Sequence, residues 1–124
     1  MQARDLTRKR VRRYVPDDQP GFYSLGHVID SRFYTSYLGR SDNCLRKRLG
    51  VHARNGWFTH FVARPTTTVA EAYRRECLFY HLAQETTYNK YHPARPAETD
   101  LACPYCEFEE RLSAAEAENK QAPQ

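Results

Sequence analysis

The 124-residue chain has no apolar run long enough to cross a bilayer, so no membrane-spanning helix is expected. Its first residues are charged and lack the apolar segment of a secretory leader, which places the protein in the cytoplasm. No segment repeats another. Cysteine is scarce, and four thiols in a cytoplasmic chain argue for free cysteines or a metal rather than disulfides. The length suits one domain and one core, not two.

With 40% hydrophobic and 27% charged residues, the composition fits a globular protein with polar ends. Charge is unevenly spread. Residues 1–14 carry Arg4, Arg8, Lys9, Arg10, Arg12 and Arg13 against Asp5 alone, whereas residues 107–124 carry five glutamates against Arg111 and Lys120. A basic arm of this kind neutralises nucleic-acid phosphates or serves only as a solubilising end, and the acidic tail stays off such a ligand. The expected boundaries are an arm and linker over 1–19, a domain over 20–106 and a tail over 107–124.

Within the domain, GFYSLGHVI at Gly21 to Ile29 is aromatic and β-branched enough for a strand. Asp30 to Arg32 form a turn, and Phe33 to Gly39 return as its hairpin partner. Gly39 lets the chain turn, and Ser41 or Asp42 caps a helix in which Leu45, Leu49 and Ala53 form an inward stripe. Asn55-Gly56 stops that helix. Trp57 to Arg64 alternates as a third strand, Thr66 to Thr68 cap a second helix over Val69 to Ala83, and residues 84–106 look irregular. From Glu107 an Ala/Glu-rich stretch reads as a short exposed helix. The order ββαβα predicts an α+β fold with a small three-stranded antiparallel or mixed sheet flanked by helices.

Several side chains stand out chemically. Arg48 and His52 lie one helical turn apart, a cation beside an imidazole, suited to an anionic substrate, although a plain solvated basic helix has the same pattern. Glu76 falls in the middle of the apolar stripe Val69, Ala72, Tyr73, Tyr80, Ala83, where an ionised carboxylate needs a partner. That partner is either a hard divalent ion or an arginine such as Arg48, Arg74 or Arg75. Tyr23 and Tyr37, on paired strands, could reach one site, and Arg40, Arg46 and Arg48 could supply a field that lowers a tyrosine pKa. Cys103-Pro104-Tyr105-Cys106 is half of a zinc site, with His92, His81 and Cys77, or a second chain, as candidates for completing it. His27 and His60 read as structural or exposed.

GFY at Gly21 to Tyr23, YLG at Tyr37 to Gly39, then Arg48, His52, Glu76 and Asn89 in YNKYHPARP follow one another in an order that resembles the GIY-YIG endonuclease superfamily. The resemblance covers roughly residues 20–96, with Phe22 and Leu38 in place of the middle isoleucines. It implies a one-metal nuclease using Mg²⁺ or Mn²⁺, with Glu76 on the metal and Tyr23 activating water. Arg48 would bind the scissile phosphate, Tyr37 and His52 would position the nucleophile or assist proton transfer, and Asn89 would orient substrate or fix the loop. Gly39 would allow close backbone approach, and Arg40, Arg46 and Lys47 would contact substrate. The interval from Gly39 to Arg48 is one residue longer than usual, so Arg46 competes for the arginine role. DNA is the expected partner, with RNA carrying the same phosphates, and a further protein or a second copy could supply specificity. The other readings are an inactive nucleic-acid-binding module and a zinc-stapled interaction protein.

Overall fold

The computed structural model describes residues 2–83, 87–89 and 91–106. Its elements are β1 (Arg4–Asp5), α1 (Arg8–Tyr14), β2 (Gly21–Ile29), β3 (Arg32–Ser41), α2 (Leu45–Asn55), β4 (His60–Pro65) and α3 (Val69–Leu82). The α+β class and the ββαβα order from Gly21 onward stand as expected. The sheet, however, has four antiparallel strands in the order β1-β4-β2-β3.

The extra strand comes from the segment read as an arm. Arg4 and Asp5 pair with Phe61 and His60, and Thr7 caps α1 by accepting the Arg10 N–H at 3.2 Å. Leu6, Val11 and Val15 are buried in the main core with Leu25, Leu45, Leu49 and Phe61. Three apolar residues in a basic stretch are enough to dock it. The cations then line the outside: Arg8, Arg12, Lys47 and Arg54 border a groove of about 540 Å³ between α1 and α2.

Local chemistry explains the other boundaries. Asp30 and Ser31 both adopt positive φ, 51° and 66°, the backbone of a two-residue primed hairpin turn. The strand β3 runs on through Gly39 to Ser41, so Gly39 lies within a ladder and makes no turn. Cys44, not Ser41 or Asp42, is the N-cap of α2, with Ser41 Oγ accepting the Cys44 N–H at 3.1 Å. Gly56, at φ 70°, ends α2 in the left-handed region that glycine tolerates. Thr68 caps α3 by accepting the Glu71 N–H. Trp57 precedes β4 and is 78% exposed.

Strand alternation divides the sheet into two faces. Tyr23, Leu25 and Tyr37 point towards α2, where Leu45 and Leu49 cover them. Phe22 and Arg40, paired across β2 and β3, point towards α3, where Phe22 stacks on Phe79 with centroids 5.0 Å apart. The strand β3 is an edge strand of the sheet, between the two layers. The acidic stretch from Glu107 lies outside the described residues.

Candidate active site at the free edge of the sheet

Tyr23 sits opposite Gly39 in the β2–β3 ladder. Its ring lies directly over that glycine: a Cβ at position 39 would stand 2.3 Å from the phenol oxygen and 2.4 Å from Cζ. Gly39 therefore clears a path for the tyrosine to cross the edge strand, a steric role distinct from the turn expected of it. At the far end the Tyr23 hydroxyl meets Nε2 of His52 at 2.8 Å. Tyr37 flanks the same imidazole at a ring-centroid distance of 5.8 Å.

The proton sits on the phenol. Burial raises the Tyr23 pKa, Tyr37 and Glu76 add to the rise, and Arg48 opposes it without prevailing. Of the arginines that could lower this pKa, Arg48 does pull it down, but burial outweighs it. His52 is shifted the other way, downward, first by burial and then by Arg48 one turn earlier on α2. A protonated phenol therefore donates to a neutral imidazole.

Arg46 and Arg48 of α2 part company. Arg46 turns back onto α1, its Nε donating to Val15 O at 2.8 Å and its Nη2 to Arg12 O at 3.1 Å, so it serves as a C-terminal cap for that helix. Arg48 is exposed and, with Lys47, borders a small groove of about 250 Å³ beside Ser41. Arg48 thus faces solvent beside the Tyr23–His52 pair, whereas Arg46 is engaged on α1.

Across the edge strand, Glu76 of α3 is 8% exposed and accepts from Arg40 Nη1 at 2.8 Å. The Arg40 Nε is 2.5 Å from Asp42, and its guanidinium lies 5.1 Å from the Tyr73 ring centroid. The partner of the carboxylate is thus Arg40, not Arg48, Arg74 or Arg75, and Arg40 is not a free substrate contact. Even so, burial raises the Glu76 pKa to about 7 against the pull of Arg40.

Asn89 clamps the edge. Its Oδ1 accepts the Leu38 N–H at 2.8 Å and its Nδ2 donates to Leu38 O at 2.7 Å, while the Tyr88 N–H donates to Ser36 O. The residue mimics a neighbouring strand and fixes its own loop. Beside it Tyr37, His52, Trp57, Phe58 and Tyr88 line an aromatic groove of about 540 Å³. Trp57, Phe58 and Tyr88 carried no motif in the sequence, and their convergence depends on tertiary placement.

A second cluster lies at the C-terminal end of α3. His81, His92, Cys103 and Cys106 bring one nitrogen or sulfur each within 4.8 Å of all the others, and the set could hold a metal ion such as zinc. Cys77, the remaining candidate, is buried within α3, and its thiol contacts Cys103. No described helix is long and apolar enough to cross a membrane. Compared with known protein families, curated proteins and solved structures, the chain matches none.

Proposed function

We propose that this chain is a metal-dependent endonuclease hydrolysing DNA phosphodiester bonds, the reading its resemblance to the GIY-YIG superfamily implies. The observation that carries it is the 2.8 Å Tyr23–His52 hydrogen bond, set beside the exposed Arg48 with a buried carboxylate across the edge strand. Binding alone requires neither a neutral imidazole on a buried phenol nor a carboxylate facing an anion.

In this reading Arg48 takes a non-bridging oxygen of the scissile phosphate. The attacking water gives its proton to the Tyr23 oxygen while Tyr23 passes its own proton to His52 Nε2. A phosphate on Arg48 cancels part of the field that lowers the His52 pKa, so substrate binding readies the imidazole to accept. As the water oxygen bonds to phosphorus, the opposite phosphorus–oxygen bond breaks and the leaving oxygen departs. Glu76 would hold Mg²⁺ or Mn²⁺, which would supply Lewis-acid stabilisation of the charge on the phosphoryl group. Arg40 would then keep Asp42 as its partner. The cations of α1 and α2 add affinity that is independent of sequence, and the aromatic groove offers stacking surfaces to a nucleobase. A protein partner or second copy in the cytoplasm would supply sequence specificity.

The test is cleavage of plasmid and branched DNA, and of matching RNA, with Mg²⁺ or Mn²⁺ by native protein and by Glu76→Ala. Metal-dependent cuts that vanish in the variant while DNA binding persists support the reading. Full activity in the variant would sink the metal role. A folded native protein that binds DNA and never cuts favours the competing reading, a binding module in which the Arg40–Glu76 pair is permanent.

A further inference from the structure

We infer that His81, His92, Cys103 and Cys106 bind one Zn²⁺ in a closed tetrahedral site that clamps residues 91–106 onto the end of α3. The inference does not depend on the nuclease reading.

Geometry carries it. Zinc bonds of about 2.3 Å to sulfur and 2.0–2.1 Å to nitrogen at tetrahedral angles place a sulfur about 3.6 Å from a nitrogen. The observed separations are close to that edge: Cys103 Sγ to His81 Nε2 is 3.5 Å, Cys106 Sγ to the same nitrogen 3.4 Å, and Cys106 Sγ to His92 Nε2 3.2 Å. Four side chains from three separate stretches thus converge on one point with the spacing of a coordination shell. The donors are two thiols and two imidazoles with no carboxylate, a set that suits zinc and not Mg²⁺ or Ca²⁺. Because the protein fills all four positions, none is left for a reacting water, and the site is structural.

Its surroundings fit the same assignment. Tyr80 presents its ring nearly edge-on to both His81 and His92, at 5.4 and 5.2 Å, which restricts the two imidazole planes. The backbone amides of Tyr105 and Cys106 bond to the Cys103 sulfur, as amides in a tight CxxC turn do when they support a metal-bound thiolate. The segment also needs a fastening. Asn89 ties its beginning to Leu38, but residues 91–103 form no strand or helix and pair with no ladder. Metal ligation at His92, Cys103 and Cys106 supplies the missing anchor. It also reaches the edge of the sheet, because His92 follows Asn89 by only three residues.

The experiment is the metal content of the untagged full-length chain, purified without chelator, together with Co²⁺ substitution and thermal melting. One zinc per native chain is expected, with visible absorption bands of tetrahedral Co²⁺ bearing two thiolates after exchange. Cys103→Ser with Cys106→Ser should lose that zinc, and Cys77→Ser should retain it. Chelation of the native chain should lower its Tm and expose the Asn89 region to amide exchange, a readout that survives if the double variant misfolds. A folded native chain with no zinc after Zn²⁺ is supplied, or zinc undiminished in the double variant, would overturn the site. Zinc lost in Cys77→Ser but kept in His81→Asn would overturn the ligand set.

Discussion

The two sides of β3 hold contrasting polar pairs. On the α2 side Tyr23 and His52 are both neutral, because burial keeps the proton on the phenol and off the imidazole. On the α3 side Glu76 and Arg40 form an ion pair in which burial and Coulomb attraction oppose each other, leaving a carboxylate that titrates at about 7. The neutral pair needs no rearrangement to pass a proton. The charged pair must open before the carboxylate can take another cation. One side is preset and the other is a switchable charge, a difference that separates the effects of mutation on each.

The largest effect should come from breaking the neutral side. Tyr23→Phe removes the hydroxyl and should slow cleavage by about 10³-fold, within the range for lost acid–base catalysis, with DNA affinity nearly unchanged. Single-turnover rates and binding isotherms measure the two separately. On the charged side, Arg40→Ala leaves Glu76 buried without its cation and should cost about 3 kcal/mol of stability at pH 8. The sign follows from proton linkage. The folded pKa of Glu76 lies above its ordinary 4.5, so the folded state holds the proton longer. Stability is therefore greatest below pH 4.5 and falls as pH rises towards and through 7. Denaturant melts of Arg40→Ala should converge on the native protein near pH 5 and diverge at pH 8, whereas Glu76→Gln should flatten the native slope.

A smaller effect is expected at the crossing point. Gly39→Ala drives a Cβ into the Tyr23 ring and should cost about 2 kcal/mol, the range for overpacking. Adding Tyr23→Ala should relieve the clash without restoring cleavage. Smallest in stability are the α2 arginines. Arg46→Ala unfastens the end of α1 and should cost about 1 kcal/mol, whereas Arg48→Ala should change stability by less than about 0.5 kcal/mol and yet impair cleavage. Thermal melts paired with rate measurements would sharpen this contrast.

Much of this architecture is legible in the sequence because it is local. Leu45 and Leu49 reveal the buried face of α2, Thr68 and Gly56 mark helix ends, and the stripe around Glu76 shows that its carboxylate is inside. What is not legible depends on contacts across the sheet. The partner of Glu76 is Arg40, thirty-six positions earlier on β3, and not one of the candidates Arg48, Arg74 and Arg75. Gly39 reads as a turn until Tyr23 is seen lying over it. The strand and helix before Pro16 are hidden because Leu6, Val11 and Val15 give too short a period among six cations. The CxxC pair announces half a metal cluster with His81, His92 and Cys77 as candidates, and only the folded chain picks the two histidines over Cys77.

In the proposed nuclease reading, the pairs on the two sides of β3 act as one catalytic unit. A double-mutant cycle of Tyr23→Phe and Glu76→Gln on Mg²⁺-dependent DNA cleavage tests it most directly. Groups that work as a unit give strongly non-additive losses, so the double variant should cleave about as slowly as the slower single variant. Losses that multiply, with each variant acting independently of the other, would contradict the account.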